Sequence, residues 1–203
     1  MTELTLNQID ALQELVNIGV GRAAGVLNDM IGCPIRLHIP YVKLLSLPEL
    51  KPELERRFHG ETLAVVRLNF TGSFAGTSEL IFPKESASNL VAVLTGEKPG
   101  TPDLDSVKIG TLLEVGNIVL NGVMGSLSNA LIQRLEYSLP TYGEGKVDSL
   151  LITKQIDTSA SVLLAHTSFL IEYLQVSGDV ILIFKVGSLE VLLEAIHNTF
   201  DGV

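Results

Sequence analysis

The sequence predicts an α+β fold: a pseudo-two-fold symmetric internal duplication of an α-β-β-β-α unit, with a continuous, mainly antiparallel sheet and helices packed on it. Three observations predict it. Short stretches recur at a spacing of about one hundred residues. Each copy opens with a long amphipathic pattern of helical period. Each then passes into short apolar runs bounded by Gly and Asn, the mark of strands joined by tight turns.

The repeat is carried by Glu14-Leu15-Val16-Asn17-Ile18, answered by Glu114-Val115-Gly116-Asn117-Ile118, and by Leu80-Ile81-Phe82, answered by Leu182-Ile183-Phe184. Pro40 follows Asn17 by the same interval as Pro140 follows Asn117. The copies span approximately 6–96 and 105–200, joined by Gly96-Glu97-Lys98-Pro99-Gly100-Thr101-Pro102. Neither is expected to bury its core alone, so 1–203 reads as one domain.

Helices are predicted over 6–31 and 106–133. Thr5 with Gln8 forms a capping box for the first, and Asp105 is the N-cap of the second. Strands are expected at 63–68 and 78–82 around Thr71-Gly72, then at 149–155, 160–174 and 179–186, with Gly178 as the last turn. Helices from Lys84 to Leu94 and from Ser188 to Asn198 close the two copies.

Composition narrows the function. A hydrophobic fraction of 46% and a mean hydropathy of +0.38 exclude a disordered chain. No uninterrupted apolar run reaches the ~20 residues of a membrane span, and the acidic N-terminus lacks a signal-peptide layout. A cytoplasmic protein without membrane insertion is expected. The formal charge of −9 opposes nucleic-acid binding. The lone Cys33 cannot form an internal disulfide and is expected to be a buried, inert thiol. His38, His59, His166 and His197 show no ligand spacing, so no metal site is expected.

On the first helix Ile9, Leu12, Val16, Val20, Ala23, Leu27 and Met30 share a core face. Asp10, Glu14, Asn17 and Gly21 form a second stripe away from it. On the second helix Ile109, Leu112, Gly116, Leu120, Val123, Leu127 and Leu131 face inward, and Glu114, Asn117 and Asn121 form the polar stripe. A single Glu-x-x-Asn is an ordinary solvated pair. Its reuse at matched positions is not, because Asn costs roughly 0.5 kcal/mol relative to Ala inside a helix. Gly19, Gly21, Gly25, Gly116, Gly122 and Gly125 flank the stripes, either for close helix packing or to clear space for another protein. A carboxamide is neither nucleophile nor base, but it can orient a water by donating one hydrogen bond and accepting another. That suits hydrolysis of an acyl phosphate already held by its own metal, where positioning does most of the work. A neighbouring carboxylate can pair with a lysine beside the phosphoryl group.

With these residues the sequence resembles the CheC/CheX/FliY family of chemotaxis phosphatases, whose motif is Asp or Ser, three residues, Glu, two residues, Asn, twenty-two residues, Pro. Asp10, Glu14, Asn17 and Pro40 complete it once; Glu114, Asn117 and Pro140 repeat it with Gly110 in place of Asp or Ser. The resemblance covers nearly the whole chain, Thr71-Gly72-Ser73-Phe74-Ala75-Gly76 included. It is greatest to the standalone two-site members, because no further domain follows the second copy.

The resemblance implies a pseudo-symmetric fold acting on phosphorylated CheY. In it Glu14, Asn17, Glu114 and Asn117 are catalytic, each Asn positioning the water and each Glu contacting the regulator's lysine. Asp10, Gly21 and Asn121 would then face the partner. Mg2+ comes with the response regulator, so the chain needs no cofactor of its own. CheD, a receptor deamidase, is a further partner, and a monomer is expected. Two other readings of the same resemblance stay open: an adaptor that binds CheY or CheD without hydrolysis, and a structural module related to the flagellar-switch protein FliM. A small-molecule enzyme is disfavoured, since no phosphate loop, nucleophile–base pair or metal cluster is evident.

Overall fold

A computed structural model of the chain describes residues 5–31, 34–39, 41–98, 100, 103–152, 160–171 and 174–201. Cys33 and Pro40 lie outside them. The first half runs α1 (Leu6–Ile31), β1 (Ile35–His38), β2 (Val42–Ser46), α2 (Leu47–Phe58), β3 (Leu63–Gly72), β4 (Gly76–Pro83) and α3 (Lys84–Thr95). The second runs α4 (Ser106–Ala130), β5 (Leu135–Tyr137), β6 (Thr141–Gly145), α5 (Val147–Ile152), β7 (Ser161–Ile171), β8 (Leu174–Phe184) and α6 (Ser188–Ile196), closing on a wider turn at His197–Asp201. The order of elements repeats in full. Each half has four strands and an extra short helix, one strand and one helix more than the expected unit.

Among the described residues, eight strands form one sheet in the order β1-β7-β8-β4-β3-β5, with β2 also on β7 and β6 also on β3. Every pairing is antiparallel. The order reads the same from either end once the halves are exchanged, about an axis between β4 and β8. Each half lends its first two strands to the other: β1 and β2 pair with β7, and β5 and β6 with β3.

Strand alternation divides the sheet between two cores. Ala64, Val66, Leu68, Phe70, Leu80, Phe82, Leu163, Leu182 and Phe184 face α1, α3, α4 and α6. Leu63, Val65, Ile81, Val162, Leu164, Ile181 and Ile183 face the other way, toward Leu50, Leu54 and Phe58 of α2 and Val147 of α5. Helix α4 is apolar and long enough by composition to cross a membrane. Here its apolar side, Leu112, Val119, Leu120, Val123 and Leu127, is buried in the first core.

Three expectations differ from the structure. The segment expected as a strand at 149–155 begins as α5, the rest of it lying outside the described residues beyond 152. A helix puts Val147 and Leu150, three apart, on one side against the second core; a strand would set them on opposite faces. Gly178 is no turn. It lies inside β8 opposite Thr167, with β7 and β8 paired as far as Ile171 and Leu174. Its lack of a side chain admits Phe82, whose ring carbons would lie 2.5 Å from a Cβ there. Met30, assigned to the core face of α1, lies in the last turn of that helix and is 57% exposed.

Candidate functional site

The two long helices begin as their sequences indicate. Thr5 N–H donates to Gln8 Oε1 at 3.0 Å and Gln8 N–H to Thr5 Oγ1 at 3.3 Å, a reciprocal capping box. Asp105 caps α4 by accepting from Lys108 N–H at 2.9 Å. The helices pack antiparallel. A Cβ on Gly19 would lie 2.5 Å from the Gly122 carbonyl oxygen, and Ser126 Oγ donates to the Leu15 carbonyl. Residue 117 therefore lies about two helical turns along the crossing from Asn17.

Both polar stripes face away from the cores. Asp10, Glu14 and Gly21 are exposed on α1, as is Glu114 on α4, while Asn17, Asn117 and Asn121 are half-buried. Glu and Asn stand one turn apart in each copy, the carboxylate outermost. Neither Glu14 nor Glu114 enters an ion pair among the described residues. Both are available to a cation brought by a partner.

The two carboxamides are held differently. Asn17 Oδ1 accepts from Ile39 N–H at 3.0 Å, and Asn17 Nδ2 donates to the Ile39 carbonyl at 3.3 Å. This clamp fixes the amide plane and leaves one N–H and one lone pair. It also accounts for the spacing read from sequence, since Ile39 immediately precedes Pro40. The clamped segment is anchored again where Ile35 N–H donates to Asn28 Oδ1 on α1. In the second half the equivalent strap is tied to the sheet instead. Ser138 N–H donates to the Asn69 carbonyl, and Asn69 N–H to Ser138 Oγ, each at 2.9 Å. Ile39 is 0% exposed and its counterpart Leu139 86%. Asn117 Oδ1 instead accepts from Asn121 Nδ2 at 2.7 Å.

The flanking glycines fall into two classes. Gly19 and Gly122 let α1 and α4 touch backbone to backbone, and Gly116 accommodates Val66, whose Cγ1 would be 2.4 Å from a Cβ. Gly21, Gly25, Gly110 and Gly125 would meet nothing within 4 Å. These four give up roughly 1 kcal/mol each in helix propensity without a packing return. The close-packing reading holds at Gly19, Gly116 and Gly122.

Sequence reasoning passed over a second polar cluster on the opposite face. Arg57 of α2 grips Asp179 of β8 with Nε and Nη2, both at 2.8 Å, and His166 Nδ1 lies 2.9 Å from Asp179 Oδ1. Tyr41 Oη accepts from Arg57 Nη1. Burial lowers the pKa of Arg57, but the Asp179 charge and hydrogen bonds outweigh it, leaving the guanidinium above its ordinary value. The sheet separates this cluster from the stripes, so it ties α2 to the sheet. No group of three or more His, Cys, Asp or Glu is placed to hold a metal among the described residues.

No family model matches the sequence. The CheY-P phosphatase CheC of Bacillus subtilis is 28% identical over 171 residues, 77% of this chain and 78% of that protein. The Thermotoga maritima FliY crystal structure shares the fold at a TM-score of 0.80, with 21% identity, over 98% of this chain and 100% of that one. The chain is thus similar to CheC in sequence and to FliY in fold. The CheX of the Borrelia burgdorferi CheX-CheY-BeF3-Mg+2 complex, at 18% identity and a TM-score of 0.53, matches 85% of this chain and 99% of that one. The FliM middle domain from H. pylori also has the fold, with a TM-score of 0.70 and 10% identity over 95% and 99% of the two chains. The fold is therefore shared by CheX, FliY and FliM alike.

Proposed function

We propose that this chain is a hydrolase that removes the phosphoryl group from the phosphoaspartate of a CheY-type response regulator, using two sites, Glu14 with Asn17 and Glu114 with Asn117. The observation that carries the reading is the recurrence, on two helices, of an outward Glu one turn from a half-buried Asn whose amide is held by hydrogen bonds. The family's phosphatases, named for CheY-P, support the same substrate.

In each site the free edge of the carboxamide orients a water toward phosphorus. The water oxygen attacks, the bond from phosphorus to the aspartyl oxygen breaks, and inorganic phosphate leaves with the regenerated carboxylate on the regulator. The Mg2+ that balances phosphoryl charge belongs to the regulator. Glu14 or Glu114 pairs with the regulator's lysine and sets the docking register, while Asp10, Gly21 and Asn121 lie beside that contact. The chain acts as a cytoplasmic monomer in this reading, and CheD is its second partner.

The test is phosphoryl loss from a Mg2+-loaded, phosphorylated CheY, with and without CheD. Wild type should accelerate the decay. Asn17→Ala and Asn117→Ala should each remove one site's share, and the double variant nearly all of it, roughly a hundredfold at each site. Tight binding without acceleration would instead make the chain an adaptor.

A further inference from the structure

We infer that Asn121 is a positioning residue of the second site, doing for Asn117 what the Ile39 backbone does for Asn17. The inference rests on the water-orienting reading of Asn117 and assigns a residue that the motif itself does not contain.

A carboxamide on a helix surface turns freely unless something holds its plane, and a water-orienting amide must present a defined edge. In the first site two bonds to Ile39 do this. In the second the strap has left the helix: Ser138 is bonded to Asn69, and Leu139 is in solvent. The only group holding the Asn117 amide among the described residues is Asn121 Nδ2, one helical turn on, at 2.7 Å from Asn117 Oδ1. At the matching position the first half has Gly21, with nothing within 4 Å of a Cβ. A side chain is present where the strap is absent, and absent where the strap is present.

The polarity of the pair also matters. Asn121 donates, so it occupies one lone pair of the Asn117 carbonyl oxygen and leaves both Nδ2 protons without a partner among the described residues. Asn121 Oδ1 is itself buried without a hydrogen-bond partner among the described residues. An ordinary surface amide would turn that oxygen to water, so the side chain is held by the bond to Asn117 and by its surroundings. The second site then presents two donors and one lone pair, whereas the first presents one donor and one lone pair.

An isosteric change separates this role from a packing role. Asn121→Asp has the same shape but cannot donate from a carboxylate; it would accept from Asn117 Nδ2 and turn the amide over. With the full chain carrying Asn17→Ala, so that only the second site turns over phosphorylated CheY, Asn121→Asp should lower kcat roughly tenfold at unchanged KM. Asn121→Ala should lower it comparably, with no loss of thermal stability. Independently of turnover, 15N-labelled protein should show one slowly exchanging Asn121 side-chain amide proton that becomes fast in Asn117→Ala. Unchanged turnover in Asn121→Asp, or unchanged exchange in Asn117→Ala, would overturn the inference. If Asn17→Ala alone already abolishes all turnover, the two-site reading fails, and the amide exchange alone decides whether Asn121 holds Asn117.

Discussion

Replacing Gly19 by Ala should destabilise the protein although alanine is the better helix former, and the size of the effect follows from the α1–α4 crossing. The new Cβ would lie 2.5 Å from the Gly122 carbonyl oxygen, 2.5 Å from Val123 Cα and 2.7 Å from Ser126 Oγ. Two of these are backbone atoms that no rotamer change can withdraw, so the helices must separate by roughly an ångström. Overpacking of that kind costs about 3 kcal/mol, the upper end of its range. Separation also weakens the Ser126 Oγ bond to the Leu15 carbonyl, worth about 1 kcal/mol. Against this stands a gain of about 1 kcal/mol in helix propensity. The net loss is about 3 kcal/mol, which at a urea slope of about 2 kcal/mol/M moves the midpoint down by about 1.5 M. Gly25→Ala is the control. Nothing lies within 4 Å of its Cβ, so only the propensity gain remains, and its midpoint should rise by about 0.5 M. Urea titrations followed by circular dichroism measure both. Equal midpoints for Gly19→Ala and wild type, or the reverse order of the two variants, would refute the packing account.

Arg57→Leu leaves Asp179, which is 0% exposed, with His166 alone; the loss should be about 3–5 kcal/mol, seen as a fall in Tm of roughly 10 °C, while turnover at a permissive temperature is unchanged. Glu144 sits below its ordinary carboxylate pKa, chiefly because Lys84 Nζ donates to it at 2.8 Å. It binds fewer protons folded than unfolded, so its contribution is full above an unfolded pKa of about 4.3 and is lost as pH falls through the lower folded value. The effect should stay below about 1 kcal/mol for this part-exposed pair, and Lys84→Met should flatten that limb of a stability–pH titration.

Much of the geometry at the candidate site was legible because its signals are local. Thr5, Gln8 and Asp105 announce the helix starts, and an Asn one turn after a Glu shares its face whatever the tertiary fold. Even the distance from Asn17 to Pro40 has a local cause in the clamp on Ile39. The rest depended on partners distant in sequence. Helix α2 was hidden by Pro48 and Pro52, although Ser46 and Glu49 form a capping box ahead of it. Gly178 resembles a turn residue until Phe82 is seen lying over it. Nothing local distinguishes Leu139 from Ile39, yet one is exposed and the other buried, because the two straps are tied to different elements.

The exchange of strands between halves has a consequence for synthesis. Ile35–His38 and Val42–Ser46 leave the ribosome early, but their partner β7 lies near the end of the chain. Until it arrives, two apolar strands have no neighbour, and β3 in turn waits for β5 and β6. A nascent chain stalled before residue 160 would leave β1 and β2 without β7, and β4 without β8. Productive folding is therefore a late event, and truncation from the C-terminus should convert the chain into an aggregating species rather than a smaller, active half.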